Sequence, residues 1–276
     1  MQALQDRLKE SRRLRAELGN EEKEPLAKED RVLSLARKQY RQGLRIFASQ
    51  LTTIHKCAET NDLAGLRQFL SGLHPEPIDI QDRWGNTCLV LASERGYAHF
   101  VKALLKEGAD PKIRNAKGQT AVHAAVVGGH VKVLKTLHSA GASVLDRDNT
   151  GALPAHYAAQ ADDATILAAL YDCCRQDEDG RKLILEGTMN GGMTPAHSAA
   201  LFDSPDALAY LNSLGCDLDA QDEARETPAH KAARVQALGA VAYLRAQTAA
   251  DFCVRNAEGD TPDDLLRDNT RAWLCE

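Results

Sequence analysis

Aromatic residues are scarce in this chain, at 5% of 276 residues, while alanine is abundant. That balance suits closely packed helices more than a sandwich of β-sheets. No run approaches the 18 apolar residues of a membrane-spanning helix. The first residues, MQALQDRLKESRRLRAEL, lack the apolar centre of a signal peptide. Excess positive charge is missing as well: the formal net charge is −5, so no general attraction to nucleic acid or an anionic membrane follows. The seven cysteines are odd in number and include no C-x-x-C pair, which favours reduced thiols over a disulfide framework or a zinc site. A cytoplasmic or nuclear setting is therefore expected. Also absent are G-x-x-x-x-G-K-[ST], H-E-x-x-H and G-x-S-x-G, the signatures of phosphate loops, zinc proteases and nucleophile elbows. No enzyme activity, metal or cofactor is expected.

What the chain does contain is a ruler. His123 and His156 are 33 residues apart, as are His197 and His230, and Gly85, Gly118 and Gly151 keep the same step. A fixed period of this length marks stacked helical units that bury their faces against one another. Each part of the period has a physical reason. Asp82-Arg83-Trp84-Gly85 and Asn115-Ala116-Lys117-Gly118 are turn sequences ending on a glycine that accepts positive φ. Thr194-Pro195 and Thr227-Pro228 place a capping hydroxyl before a proline at the first helical position. Ala158-Ala159, Ala199-Ala200 and Ala232-Ala233 permit close approach of neighbouring first helices, Val131, Val133, Leu134 and Leu137 form the apolar stripe of a second helix, and Gly108-Ala109 and Gly141-Ala142 end such helices.

With "GQTAVHAA", "GALPAHYAA", "GMTPAHSAA" and "RETPAHKAA" in register, the chain resembles the ankyrin-repeat family over residues 51–276. The expected fold is all-α: an ankyrin-repeat solenoid of about seven helix-turn-helix units joined by β-hairpin loops, preceded by N-terminal helices. The outer units are atypical. "LTTIHKCAET" opens the series with His55 at the histidine station, and "GDTPDDLL" closes it with Asp264 there, as a polar cap. Between His156 and His197 the spacing grows to 41, which predicts an insertion loop over 175–191. Its acidic residues Asp177, Glu178 and Asp179 fit either solvated surface or a docking site for a basic partner.

The five repeat histidines, His55, His123, His156, His197 and His230, invite a metal reading. The resemblance implies units about 10 Å apart, whereas zinc ligands lie about 2.1 Å from their ion. A structural role is expected instead, with each ring bonded near its helix start. Cys173-Cys174, adjacent in sequence, cannot easily meet disulfide geometry and reads as buried filler.

The resemblance further implies a partner-binding surface made of hairpin tips and first helices along one concave face. Carried onto this sequence, it names Arg83, Trp84, Asn86, Glu94, Arg95, Lys117, Gln119, Val127, Asn149, Gln160, Met193, Leu201, Phe202, Arg225, Glu226, Arg234 and Val235. Trp84, Val127, Leu201 and Phe202 would be exposed there; they are either an interface or tucked against neighbours. Residues 1–50 are expected to form a charged helical extension, 12 Lys/Arg against 8 Asp/Glu, with two helical patterns split by "GNEEKEP". The second has an apolar face suited to capping the first repeat. The first is a partner-binding or coiled-coil helix, or a solvated tail. The expected function is a non-enzymatic scaffold or adaptor for protein partners through the concave groove and N-terminal helices. Its style is similar to small ankyrin-repeat subunits of ciliary inner-arm dynein assemblies, and the alternative is a regulatory inhibitor or targeting module acting in trans on a signalling enzyme or transcription factor. Neither nucleic acid nor membrane insertion is expected.

Overall fold

In a computed structural model, the structure describes residues 53–69, 78–247 and 250–272. The N-terminal extension, residues 1–50, lies outside the described residues, as does Thr52. Fourteen helices and no strand are found among the described residues. They pair as α1 (Thr53–Thr60) with α2 (Leu63–Gln68), α3 (Cys88–Glu94) with α4 (Ala98–Lys106), and α5 (Ala121–Val127) with α6 (Val131–Ser139). Unit 4 holds α7 (Pro154–Gln160), α8 (Ala164–Cys173) and an additional α9 (Glu178–Glu186). Then come α10 (Pro195–Leu201) with α11 (Pro205–Ser213), α12 (Pro228–Val235) with α13 (Leu238–Gln247), and α14 (Pro262–Ala272), the described helix of unit 7.

Helices this short do not persist alone in water, so their stability comes from stacking. First helices pack on the first helices of adjacent units and second helices on second. The first-helix layer is alanine-rich: Ala125, Ala158, Ala159, Ala199, Ala200 and Ala232 are fully buried. Larger side chains fill the second-helix layer, among them Phe100, Leu104, Leu134, Leu137, Ile166, Leu170, Leu208 and Leu244. Successive units are also tied polar group to polar group. Asp162 and Asp203 adopt positive φ between the two helices of their units, and their carboxylates accept the N–H groups of Ala207 (3.0 Å) and Ala240 (2.7 Å) in the next unit. Each aspartate thereby satisfies an open donor at the start of its neighbour's second helix.

The insertion after unit 4 departs from the sequence expectation of a loop. Residues 178–186 are helical because Asp177 caps them, accepting the Gly180 N–H at 3.0 Å, and because Glu178 and Asp179 sit in the first turn, where the helix dipole favours negative charge. Ile184 anchors the helix in the core. The acidic cluster thus has a local structural role. At the other end, Asp264 replaces histidine in unit 7 and accepts both the Thr261 N–H (3.1 Å) and its hydroxyl (2.8 Å). A carboxylate reproduces the capping half of the histidine's work.

Among the described residues two buried side-chain polar atoms lack a hydrogen-bond partner, Arg181 Nε and Ser93 Oγ. Ser93, fully buried on α3, makes no hydrogen bond through its hydroxyl. The equivalent stations hold Val126, Ala159, Ala200 and Ala233. Replacing Ser93 with Ala is expected to raise unfolding free energy by about 1 kcal/mol, since an unsatisfied buried hydroxyl is removed. Urea unfolding of S93A checks this; an unchanged or lower midpoint would count against it.

Candidate functional site

Five of the six described tips are built on one polar residue; the tip of unit 5 has Met189 in that place and closes through backbone bonds alone. Asp82 Oδ1 accepts the N–H groups of Trp84 and Asn86, both at 2.8 Å. Asn115, Asp148, Asp222 and Asn256 do the same in their own units, at 2.8–3.0 Å. Tips are also sewn to one another. The N–H groups of Ala116, Asn149, Asn190, Glu223 and Ala257 donate to the carbonyls of Trp84, Lys117, Thr150, Gly191 and Ala224, at 2.8–3.0 Å. The expected β-hairpins are present as tight hydrogen-bonded turns without assigned strands. Sequence reasoning passed over the Asp/Asn anchor, although its 33-residue recurrence at 82, 115 and 148 was there to be read.

Histidines join these tips to the helices. His123, His156, His197 and His230 each accept at Nδ1 the backbone N–H three residues earlier, at 3.1–3.2 Å. With Nδ1 accepting, the proton sits on Nε2, which donates to the carbonyl of Ala152, Met193, Glu226 and Asp260 in the next unit, at 2.9–3.4 Å. His55 reaches the Asn86 carbonyl in the same way, at 3.0 Å. Both nitrogens of the four rings are occupied, leaving none to ligate a metal. Burial pushes the pKa of His123 and His197 down, and that of His156 down to about 4. Leu153 stands where other units have threonine, so His156 lacks the hydroxyl partner that Thr120, Thr194 and Thr227 supply.

The tips and first helices expose a row of apolar groups. Trp84 is 42% exposed, Val127 52%, Phe202 54% and Val235 47%. The Arg83 guanidinium lies 3.9 Å from the Trp84 ring centroid, so this tip presents a cation and an aromatic together. Lys117, Asn149, Glu94, Arg95 and Arg225 are exposed too, Arg95 reaching Glu59 at 3.5 Å. Asn86, Gln119, Gln160 and Met193 are half-buried. Asn86 accepts from Asn115 Nδ2 (3.0 Å), Gln119 donates to the Tyr157 hydroxyl (3.0 Å), and Met193 lends its carbonyl to His156. Two expectations need correction. Leu201 is half-buried, because the last turn of α10 leans its side chain partly into the stack, and Phe202 takes the exposed position beside it.

Glu226 is the second correction. It is 3% exposed and belongs to a buried charge cluster. Lys231 Nζ lies 2.6 Å from both Asp222 Oδ2 and Glu226 Oε2, while Arg234 donates to Glu226 Oε1 through Nε (3.1 Å) and Nη2. Burial alone would raise the Glu226 pKa; the hydrogen bonds from Lys231 and Arg234 outweigh it and hold the carboxyl below its usual range. In unit 4 the station of Lys231 belongs to Tyr157, whose hydroxyl donates to Asp148 Oδ2 at 2.5 Å. Burial, then this bond, pushes the phenol up to about 12. Tips in units 4 and 6 are therefore braced from their first helices, a contact that appears only once tip and helix are folded together.

The repeat geometry agrees with comparison to known proteins. The family model for ankyrin repeats matches residues 54–148 and 99–179. Residues 54–179 are ankyrin repeats. Among relatives of known sequence, the nuclear factor NF-kappa-B p105 subunit of Mus musculus is 31% identical over 144 residues, 51% of this chain and 14% of that protein's length. The ankyrin-repeat stack also superposes on the crystal structure of the ankyrin repeat domain of Bcl-3, described as a unique member of the IkappaB protein family. That match has a TM-score of 0.62 at 21% identity and covers 80% of this chain and 98% of the other. One chain in the structure of the Bd0816 predatory endopeptidase from Bdellovibrio bacteriovorus in complex with immunity protein Bd3460 is matched over its full length, with TM-score 0.60, 22% identity and 72% of this chain covered. These likenesses to solved ankyrin-repeat structures show the fold. Among the described residues, no helix is long and apolar enough to cross a membrane.

Proposed function

We propose that this chain is a non-enzymatic adaptor that holds a partner protein along the tips and first helices of units 2 to 6. The observation that carries the reading is the exposed apolar row Trp84, Val127, Phe202 and Val235, set on turns and helix ends that hydrogen bonds fix in place. Large exposed apolar groups on a rigid frame are the usual anchors of an interface, because little conformational freedom remains to be lost on binding. Trp84 and Phe202 carry the largest contact area. Changing either to Ala is expected to weaken partner capture about thirtyfold, the size of a hot-spot loss, with the thermal unfolding midpoint unchanged. Equal capture by folded W84A and F202A protein would sink the proposal.

Within this function, the relatives favour regulation in trans over a permanent structural place. p105 is by name a subunit of the nuclear factor NF-kappa-B, and Bcl-3 is described as a member of the IkappaB family. A regulator exchanges its partner, whereas a permanent subunit co-purifies at fixed ratio through a salt wash. The narrower reading, a ciliary inner-arm dynein subunit engaged partly through residues 1–50, draws no support from these relatives. Co-purification with axonemal dynein chains is its test.

A further inference from the structure

Five tips place glycine at their fourth position: Gly85, Gly118, Gly151, Gly192 and Gly259, all at positive φ. The tip of unit 6 reads Asp222-Glu223-Ala224-Arg225, and Arg225 adopts φ +57°. Left-handed backbone brings the Cβ of an L-residue against its own peptide. Space is short at this station as well. A Cβ at Gly85, Gly118 or Gly192 would meet a backbone nitrogen of the following tip at 2.7–2.9 Å. Asn61, Asp162, Asp203 and Gln236 also adopt positive φ, but all four lie in the turn between the two helices of a unit, where Asp162 and Asp203 cap a neighbouring helix, and none lies in a tip. Arg225 has no such return: its side chain is exposed and makes no hydrogen bond or ion pair with the described residues.

A strained backbone that carries an unpaired side chain into solvent directs attention to what that side chain meets outside the chain. Nearby charges narrow the choice. The buried carboxylates Asp222 and Glu226 are neutralised by Lys231 and Arg234, so they do not claim Arg225. Exposed Glu223 in the same tip and Glu258 in the next disfavour a dianionic phosphate more than a single carboxylate. A guanidinium forks onto a carboxylate through two parallel hydrogen bonds. We infer that Arg225 is a specificity contact for an acidic side chain, Asp or Glu, on the protein segment that lies in the groove. This inference rests on the groove reading above.

The test uses the full chain and a displayed library of random 16-residue peptides, selected on the wild type and then measured as synthetic peptides. R225G is expected to shift the folding equilibrium toward the native state about fivefold, the relief of left-handed strain less the added freedom of glycine. The same variant is expected to bind the selected peptides about tenfold more weakly, R225K to recover part of the loss, and Asp/Glu→Asn/Gln changes in one peptide position to remove it. Four results overturn the inference: peptides without an acidic preference, tighter binding when the acidic residue is replaced by phosphoserine, undiminished binding by R225G, or no stabilisation of R225G. Peptides that lose binding to W84A and F202A but not to R225G leave the groove reading standing and refute this one. Peptides indifferent to all three variants refute both.

Discussion

Acidification from pH 7 to pH 4 is expected to weaken the stack by about 3 kcal/mol through His156 alone, with His123 and His197 adding in the same direction. Burial is the first cause: the imidazolium would leave water for the alanine-rich first-helix layer. A second cause is local, since Nδ1 already accepts the Leu153 N–H and offers no place for another proton. The sign follows from the two states. The folded pKa of about 4 lies below the ordinary value of 6.5, so between those values the unfolded chain binds more protons. The favourable difference is complete above pH 6.5 and is lost as pH falls toward 4. Asp148 and Glu226, both held below the usual carboxylate range, extend the loss to lower pH. Urea midpoints measured at pH 7, 5.5 and 4 check the trend, and His156→Gln should flatten it. A midpoint constant from pH 7 to 4.5 would show that these rings are not held neutral.

Removing the Lys231 ammonium is expected to cost about 3 kcal/mol at pH 7. The amine bridges two carboxylates that are almost wholly inaccessible, and breaking a buried pair from one side leaves uncompensated charge. Lys231→Met preserves the stem and deletes the charge. Asp222 would keep the N–H groups of Ala224 and Glu226, and Glu226 would keep Arg234, so the loss falls short of unfolding the chain. Two further results follow from the same physics. The penalty should shrink in acid as Glu226 protonates, and Glu226→Gln added to Lys231→Met should restore much of the stability. A Lys231→Met variant within 0.5 kcal/mol of the wild type at pH 7, the span typical of a surface change, would mean that the cluster is solvated.

The repeat was legible because each of its signals is local and recurs. Thr-Pro starts, glycine turns and alanine pairs repeat at a fixed step, and the histidine's role follows from its spacing to the threonine. The face was legible at Trp84, Val127 and Phe202, where the register alone sets exposure. Glu226 was not. Its partners come from the following helix, and a tip carboxylate two residues before a proline carries no sign of burial. Leu201 and Phe202 are neighbours in sequence, and only the helix phase decides which one faces water. The helix at 178–186 was hidden for another reason: an acidic, glycine-containing cluster reads as a loop unless Asp177 is recognised as a cap for the apolar residues that follow.

The central claim is that partners are held on the tips and first helices. Its most direct test is calorimetric titration of the chain with a purified partner, comparing Trp84→Ala/Phe202→Ala with Lys135→Ala/Leu183→Ala. The second pair changes exposed residues on α6 and α9, away from the tips and first helices. The expected result is a loss of about a thousandfold in affinity for the first pair, whose members lie in different units and add, and a change within about twofold for the second. An unaffected first pair, or a larger loss from the second, would contradict it.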